Sequence, residues 1–310
     1  TSPRSYIKNI SSLPIPIFES TLQKYNYEGS ATPEAFTWIM LSARGCPFQC
    51  TYCASDKIVR FRSPEHVLEE IRAVKMKYGI TRFCFEDDSF TLHKERFHRL
   101  CEMLRAEKTT WICNTRVDLI DEPMIRLMKE SGCVGIAIGI ETGSPKTLAA
   151  ISKKISFDMI HKAITLLKAY KILVSGYFMI GFPWETREDM KQTIALMSRS
   201  NLDYFHLSVV TPLPGTQLFR SLIASGKLNL DTIDWKNFHQ GSPYMNFSDY
   251  SDAEWKKIIS DLTYMAFRIS RKKYFFATLR KFMLEPTAVI ERIIVRLRNS
   301  VPMLKKFLFQ

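Results

Sequence analysis

Short apolar runs that are rich in β-branched and aromatic residues recur along the chain, and segments with helical periodicity separate them. Such runs predict buried strands, and their alternation with helices indicates βαβ units around a parallel sheet. We predict six strands, over residues 37–43, 82–86, 110–115, 134–140, 173–180 and 203–209. The expected fold class is α/β, a partial (β/α)6 TIM-like barrel with a C-terminal helical extension. Its chemistry is expected at the carboxyl ends of the strands.

The first helix has clear boundary signals. Ser63 can cap it, Pro64 suits the first turn, and Glu65 favours the positive end of the helix dipole. Gly79 is of the residue type that commonly ends helices. We therefore predict a helix over residues 63–78, between the first two strands.

Three regions of the chain differ in pattern. Residues 1–30 lack a regular period and contain Pro14 and Pro16, which predicts a linker, one that would join the chain to a further N-terminal domain. Residues 31–228 hold the six predicted βα units. Residues 229–310 form a C-terminal region in which we predict basic amphipathic helices.

Composition excludes disorder as the main state, since 310 residues with 46% hydrophobic content can bury a sizeable core. The longest strongly apolar stretch without a charge, residues 172–184, is shorter than the roughly 20 residues that cross a bilayer. Of the net charge of +13, residues 266–310 contribute +9, with eleven Lys and Arg against Glu285 and Glu291. A basic tail of this kind fits an acidic partner, an anionic membrane surface or nucleic acid.

Three cysteines follow the first predicted strand. Cys46, Cys50 and Cys53 are spaced by four and then three residues. Three thiolates can hold an iron–sulfur cubane and leave one iron open to a small molecule's amine and carboxylate. The alternatives are a zinc site or packing as small hydrophobic side chains. A structural zinc site usually takes four ligands in two separated pairs, and the sequence has no second pair, so the spacing favours a four-iron cluster.

Cysteine usage also bears on the compartment. Seven cysteines, three of them crowded together, do not form the dispersed pattern of a secreted disulfide framework. The chain begins at Thr1 without the features of a signal peptide. We therefore expect a reducing, cytoplasmic setting. We expect core packing for the four remaining cysteines, namely Cys84, Cys101, Cys113 and Cys133. Core packing is also expected for Tyr177 and His206 on the last predicted strands, and the alternative is that they face the barrel interior, toward a substrate or cobalamin.

Carboxylates follow two of the predicted strands. Glu86, Asp87 and Asp88 lie at the end of the second strand, where they can face a cationic amino group. Helix capping by Asp88 or Ser89 is the alternative. Glu141 ends the fourth strand and can accept hydrogen bonds from ribose hydroxyls, unless it is simply a solvated loop carboxylate.

Six motifs together resemble the radical S-adenosylmethionine (SAM) superfamily. Over about residues 38–227 they resemble its group associated with a cobalamin-binding domain, which includes carbon methylases and the anaerobic cyclase of bacteriochlorophyll synthesis. The motifs are CPFQCTYC at 46–53, FEDDSFT at 85–91, NTRVD at 114–118, GIETGS at 139–144, GFP at 181–183 and TPLPGT at 211–216. Trp184 departs from the glycine that is common after the fifth motif, which puts the shape of that loop in doubt.

The resemblance implies two cofactors, a [4Fe-4S] cluster held by the three motif cysteines and SAM. Residues implied in cofactor binding are Tyr52, Glu86, Asp87, Asp88, Arg116, Glu141 and Gly181. Arg116 would bind the SAM carboxylate, although an ion pair with Asp118 or Asp121 is the alternative. The turn at Gly181 would present backbone groups to the adenine.

By this resemblance the chain cleaves SAM to a 5'-deoxyadenosyl radical for cobalamin-dependent methylation of an unactivated carbon. The cobalamin step rests on resemblance alone, and its domain would lie before Thr1. A radical cyclisation or rearrangement without methyl transfer is the alternative. RNA modification is disfavoured because no β-rich RNA-binding appendage is present, and a non-enzymatic redox module because it would need four cysteine ligands. The expected partners are a small-molecule substrate, hydrophobic or lipid in nature, and a reducing electron donor.

The tail predicts a further helix. Pro286 can start it, and the apolar residues Ile290, Ile293 and Leu297 then share one face. One interpretation lays this basic amphipathic helix on an anionic membrane, as a peripheral contact. The other packs its apolar face on the barrel or on a neighbouring domain.

Overall fold

The computed structural model describes residues 4–16, 37–239, 242 and 245–284. Its strands, numbered in chain order, are β1 Thr37–Met40, β2 Ala43–Arg44, β3 Arg60–Phe61, β4 Arg82–Phe85, β5 Thr110–Thr115, β6 Cys133–Glu141, β7 Leu173–Ile180 and β8 Tyr204–Val209. Its α-helices are α1 Pro64–Tyr78, α2 Lys94–Glu107, α3 Glu122–Glu130, α4 Pro145–Ala150, α5 Phe157–Ala169, α6 Arg187–Arg199, α7 Gln217–Ala224 and α8 Asp252–Leu284.

One parallel sheet organises these elements. Six strands run across it in the order β1, β4, β5, β6, β7 and β8, and every neighbouring pair is parallel. Helices connect successive strands of the sheet, which is the βα arrangement of a barrel. The sheet is a half-barrel with β1 and β8 at its two edges, so the predicted α/β fold class is confirmed.

The first predicted strand, over residues 37–43, is too long. β1 ends at Met40, and Ala43 pairs instead with Phe61 in the separate antiparallel sheet of β2 and β3. The backbone N–H groups of Ser42 and Ala43 donate to the Asp87 carboxylate over 2.6 and 2.9 Å. These bonds turn the chain away from β1 toward the cysteines. The other five strands match their predictions to within one residue at each end.

The predicted boundaries of the first helix are confirmed in α1. The Ser63 hydroxyl accepts a hydrogen bond from the His66 N–H over 3.2 Å. At the other end Gly79 takes the left-handed conformation, with φ of 66°, and its N–H donates to the Lys75 carbonyl. The Ser63 N–H donates to the Ser11 hydroxyl, which ties the short N-terminal segment to the start of α1.

Alternate strand residues and the inner faces of the helices form one hydrophobic core. Cys84, Cys101, Cys113 and Cys133 are all buried, which confirms their expected packing. The same expectation is wrong for Tyr177 and His206. Tyr177 is 39% exposed and His206 is also exposed, because both lie on the other face of the sheet, where their rings stack on each other at 5.3 Å.

The helix α8 joins the C-terminal region to the barrel through Trp255, which is buried against the turn that follows β7. Within the described ranges, no helix combines the length and the apolar character that crossing a membrane requires. The helix predicted to begin at Pro286, and residues 17–30 of the predicted linker, lie outside the described residues.

Candidate active site

A cavity of about 740 Å3 lies at the carboxyl ends of the strands. Nine of the ten residues that the sequence predicted as site residues line it together, namely Cys46, Cys50, Cys53, Tyr52, Glu86, Asp87, Asp88, Arg116 and Glu141. Gly181 is not among its lining residues. The barrel rim therefore brings side chains from four widely separated motifs to one place, as chemistry at the strand ends requires.

The cysteine loop is fixed by backbone hydrogen bonds. Gly45 has φ of +92°, and a Cβ there would come within 2.9 Å of the Asp56 carbonyl oxygen, so only glycine fits at the start of the loop. The Cys46 N–H donates to the same Asp56 carbonyl over 2.7 Å. Thr51 bridges two other segments, since its N–H donates to Ile151 and its carbonyl accepts from Leu218. The loop is therefore held in place from three sides.

The three thiols of this loop are free and partly exposed. Burial raises the pKa of Cys46. The Cys53 sulfur accepts a hydrogen bond from the Ser55 N–H over 3.4 Å, and the Ser55 hydroxyl donates to Asp88 over 2.8 Å. Asp88 thus helps to fix the segment that carries the third cysteine.

Among the residues that the structure describes, no group of three His, Cys, Asp or Glu side chains is arranged to hold a single metal ion. Donors for one zinc ion must converge on it, whereas the thiolates of a four-iron cluster each bind a different iron.

The acidic residues after β4 have separate roles. Asp87 is buried, and among the described residues its carboxylate accepts hydrogen bonds from Ser42 and Ala43, in the segment after β1, so it positions that segment. Glu86 is exposed to the cavity and accepts a hydrogen bond from the Asn114 side chain over 3.0 Å. The capping role considered for Asp88 or Ser89 is wrong, because His93 caps α2.

Glu141 at the end of β6 is only 6% exposed and pairs with Lys153. It has a φ of +73°, an uncommon conformation for a residue with a side chain, which marks a backbone constrained by its surroundings. A Cβ at Gly139 would collide with both the Glu141 carboxylate and the Lys153 ammonium group, so glycine makes the space for this pair. The alternative of a solvated loop carboxylate is wrong for Glu141, since it is a buried, paired group.

Tyr52 belongs to the cysteine loop, and its phenol lies beside the Glu141 carboxylate. Burial, followed by the nearby Glu141 carboxylate, raises the pKa of its phenol well above the usual value. Its ring meets Phe182 edge to face at 6.0 Å. Tyr52 is therefore a neutral hydrogen-bonding group at the cavity wall across the physiological pH range.

Arg116, after β5, is nearly buried and forms a bidentate ion pair with Asp118, with both N–O distances at 2.9 Å. It also donates to the Lys153 carbonyl over 2.6 Å and to the Cys50 sulfur over 3.7 Å. Burial lowers its pKa, and the contacts with Asp118 and Cys50 outweigh that effect, so that the net shift is upward. The predicted alternative of an ion pair with Asp118 is thus present.

Gly181 lies behind the cavity wall. Its φ is +91°, and a Cβ there would come within 2.7 Å of the Trp255 ring. The N–H groups of Gly181 and Phe182 donate to the Glu185 carboxylate over 2.7 and 3.1 Å. Burial raises the pKa of Glu185 to about 7. The Glu185 carboxylate therefore holds this turn in its conformation. The Trp184 ring packs against the turn by stacking on the Phe182 ring, with 5.3 Å between the ring centroids.

Sequence reasoning missed Lys153, Ser55 and Phe48. Lys153 lies in the loop after α4, outside every motif, and it reaches Glu141 only through the path of that loop. Ser55 and Phe48 lie within or beside the cysteine motif. Their contacts with Cys53 and Arg116 require the folded loop, so no signal in the sequence alone identifies them.

Comparison with known proteins gives a consistent result. The sequence model of the Radical SAM superfamily matches residues 40–197. An uncharacterised methyltransferase from Pyrococcus horikoshii is 32% identical over 276 residues, which cover 87% of this chain and 59% of that protein. The anaerobic magnesium-protoporphyrin IX monomethyl ester cyclase of Rubrivivax gelatinosus is 29% identical over 66% of this chain and 37% of its own length. The chain thus spans only part of these relatives.

Among solved structures, the cobalamin-dependent SAM radical enzyme OxsB, with aqua-cobalamin and SAM bound, has a TM-score of 0.58 and 15% identity. The match covers 84% of this chain and 50% of that one. At this level of identity the likeness concerns the fold.

Proposed function

Because the chain belongs to the radical SAM superfamily, whose model covers residues 40–197, we propose that Cys46, Cys50 and Cys53 hold its [4Fe-4S] cluster and that the adjoining cavity binds SAM. The observation that carries this proposal is the position of the three free thiols. All three lie on one anchored loop and line the same cavity as the Glu141–Lys153 pair.

The chemistry of the donors fits an iron–sulfur cluster, because thiolate sulfurs are its usual protein ligands. Ser55 and Arg116 donate hydrogen bonds to the sulfurs of Cys53 and Cys50, as suits sulfurs that carry negative charge. When bound and reduced, the cluster supplies the electron that cleaves SAM to methionine and a 5'-deoxyadenosyl radical.

The residues of the cavity can bind and orient SAM. We propose that the Glu141 carboxylate accepts hydrogen bonds from the ribose hydroxyls, with Lys153 fixing its position. Glu86, exposed to the cavity and oriented by Asn114, is available for the cationic amino group. Tyr52 closes the wall beside the cysteine loop, and the backbone at Gly181 is proposed to support the adenine from behind.

For the reaction itself we propose cobalamin-dependent methylation of an unactivated carbon. A relative that aligns with 87% of the chain is named a methyltransferase, and the fold is similar to that of a cobalamin-dependent SAM radical enzyme. The cobalamin-binding domain would lie outside this chain. A radical cyclisation without methyl transfer is the second candidate, favoured by the similarity to the anaerobic cyclase.

We propose that the substrate is a small, hydrophobic molecule that enters the same cavity. Part of the cavity lining is formed by Tyr177, Met179, Ser208 and Leu213. Tyr177 and Leu213 are exposed apolar side chains there, and an aromatic ring and a leucine side chain favour an apolar ligand.

Anaerobic reconstitution tests the central proposal. The chain with all three motif cysteines replaced by alanine should lose iron and sulfide, while Cys101→Ala, in a buried cysteine of α2, should retain both. After reduction, only the proteins that hold a cluster should release 5'-deoxyadenosine from SAM. A full cluster in the triple variant would overturn the assignment of the ligands.

A further inference from the structure

Arg116 occupies a position between a cysteine of the site and a carboxylate. Its guanidinium donates to the Cys50 sulfur on one side and to both oxygens of Asp118 on the other. With the bond to the Lys153 carbonyl, four hydrogen bonds engage a group that has five N–H donors. The side chain is only 6% exposed.

A ring from the cysteine loop covers the same guanidinium. Phe48 lies two residues before Cys50, and its ring centroid is 3.7 Å from the guanidinium carbon of Arg116. The Phe48 carbonyl accepts a hydrogen bond from Lys57 over 2.8 Å, which fixes this part of the loop. The ring displaces water from one face of the guanidinium, so its charge acts on Cys50 through a poorly screened environment.

The Cys53 and Cys50 sulfurs accept hydrogen bonds from different kinds of donor. Cys53 accepts a hydrogen bond from the backbone N–H of Ser55, a neutral donor. Cys50 accepts its hydrogen bond from a cation. Charged donors form the stronger bonds, and an arginine guanidinium stays protonated at every physiological pH.

We infer that Arg116 is a positioning residue that sets the reduction potential of the cluster through its charged hydrogen bond to the Cys50 sulfur, and that Asp118 limits this effect. The inference rests on the proposed cluster ligands. Hydrogen bonds to cluster sulfurs and the net charge around a cluster govern its potential. Reduction adds one negative charge, so a fixed cation at a ligand sulfur stabilises the reduced form and raises the potential.

Because Arg116 and Asp118 carry opposite charges, removing one charge or the other should shift the reduction potential in opposite directions. Removing the Arg116 charge takes away the cation and leaves the Asp118 carboxylate near Cys50 without its partner. Removing the Asp118 charge leaves the cation uncompensated. The first change should lower the potential and the second should raise it, whereas a merely structural role gives no reason for opposite signs.

This role differs from binding of the SAM carboxylate, which the resemblance implied for Arg116. Described residues engage four of the five N–H groups of the guanidinium, whereas a bidentate pair of hydrogen bonds to a carboxylate uses two. The two roles are separable because the potential can be measured without SAM.

The test is an anaerobic redox titration of the reconstituted chain in the absence of SAM, followed by electron paramagnetic resonance. Arg116→Gln should reduce the ratio of reduced to oxidised cluster about tenfold at the wild-type midpoint, which for one electron is about −59 mV. Asp118→Asn should shift the midpoint upward. Arg126→Gln is the matched control, because that arginine is exposed on α3 and its partner is Glu122.

Unchanged midpoints in Arg116→Gln and Asp118→Asn, or shifts of the same sign, would overturn the inference. A weaker calorimetric affinity for SAM in Arg116→Gln with an unchanged midpoint would do so as well, in favour of carboxylate binding. If Arg116→Gln takes up no iron, the sign of the Asp118→Asn shift decides alone. Failure of the wild-type chain itself to form a cluster is a separate outcome, because it removes the proposed function.

Discussion

Asp87, which follows β4, is hydrogen-bonded to Ser42, which lies between β1 and the cysteine loop. The Asp87 carboxylate accepts hydrogen bonds from both the backbone N–H and the hydroxyl of Ser42. Arg96 donates to the Ser42 carbonyl over 2.9 Å from the opposite side. These contacts fix the point at which the chain leaves β1 and turns toward Cys46, so the buried Asp87 carboxylate controls the geometry of the site.

We therefore predict that Asp87→Ala destabilises the chain and impairs cluster uptake. The substitution leaves two buried N–H groups without acceptors, a loss of about 2–4 kcal/mol in the free energy of unfolding. Urea denaturation and the iron content after reconstitution measure the two effects. Asp88→Ala is the control, since Asp88 is exposed and only the Ser55 hydroxyl is described as its donor, and it should lose less than about 1 kcal/mol. Equal losses in the two variants would contradict the role assigned to Asp87.

The second prediction concerns the pair of Glu141 and Lys153. Glu141→Ala should weaken the binding of SAM at least tenfold, about 1.4 kcal/mol, without loss of iron, because the carboxylate lies in the cavity but is not a cluster ligand. Gly139→Ala should act in the same direction by displacing the pair. Isothermal calorimetry on the reconstituted protein measures the affinity, with Glu130→Ala on the outer helix α3 as the control. An unchanged affinity in Glu141→Ala would remove this residue from the SAM site.

The strands of the sheet were predicted well because each one is marked by a pattern within a few neighbouring residues. β5 and β7 match their predicted ranges, since apolar runs between turn residues are read within a few positions. The cysteine motif is equally local. By contrast, Lys153 meets Glu141 only because the loop after α4 returns to the end of β6, and that path depends on packing between distant segments. The exposure of Tyr177 was missed for the same reason, since the alternation of a strand does not tell which of its two faces a helix will cover.

A pH dependence follows from Glu185, whose pKa burial raises to about 7 from 4.5. The folded chain then holds a proton that the unfolded chain releases at a lower pH. This tighter proton binding stabilises the folded chain. Its contribution is fully present below about pH 4.5 and is lost as the pH rises through 7. We expect Glu185→Gln to lack this component, which amounts to about 3 kcal/mol, because the glutamine oxygen still accepts the Gly181 and Phe182 N–H groups. Urea midpoints at pH 5 and pH 8 compare the two proteins, and identical pH profiles would contradict the prediction.

The last prediction concerns the basic C-terminal region. Three aromatic residues of α8, Tyr264, Phe267 and Phe275, are more than half exposed at helical spacing. Arg271 lies 5.8 Å above the Phe267 ring, so cationic and aromatic groups share this surface. We propose that it and residues 285–310 contact an anionic membrane, where each basic residue near the surface contributes about 1 kcal/mol.

Sedimentation with vesicles of phosphatidylcholine alone, or with added phosphatidylserine, tests this contact at low salt. The chain should sediment with the anionic vesicles and be released as salt rises, since the attraction is screened. Phe267→Ser and a chain that ends at residue 284 should each bind less. Met76→Ser is the matched control, because Met76 is an exposed apolar residue on a different helix, α1. If the intact chain ignores anionic vesicles, the membrane contact is refuted, and the alternative of packing on the barrel or on a neighbouring domain accounts for this surface.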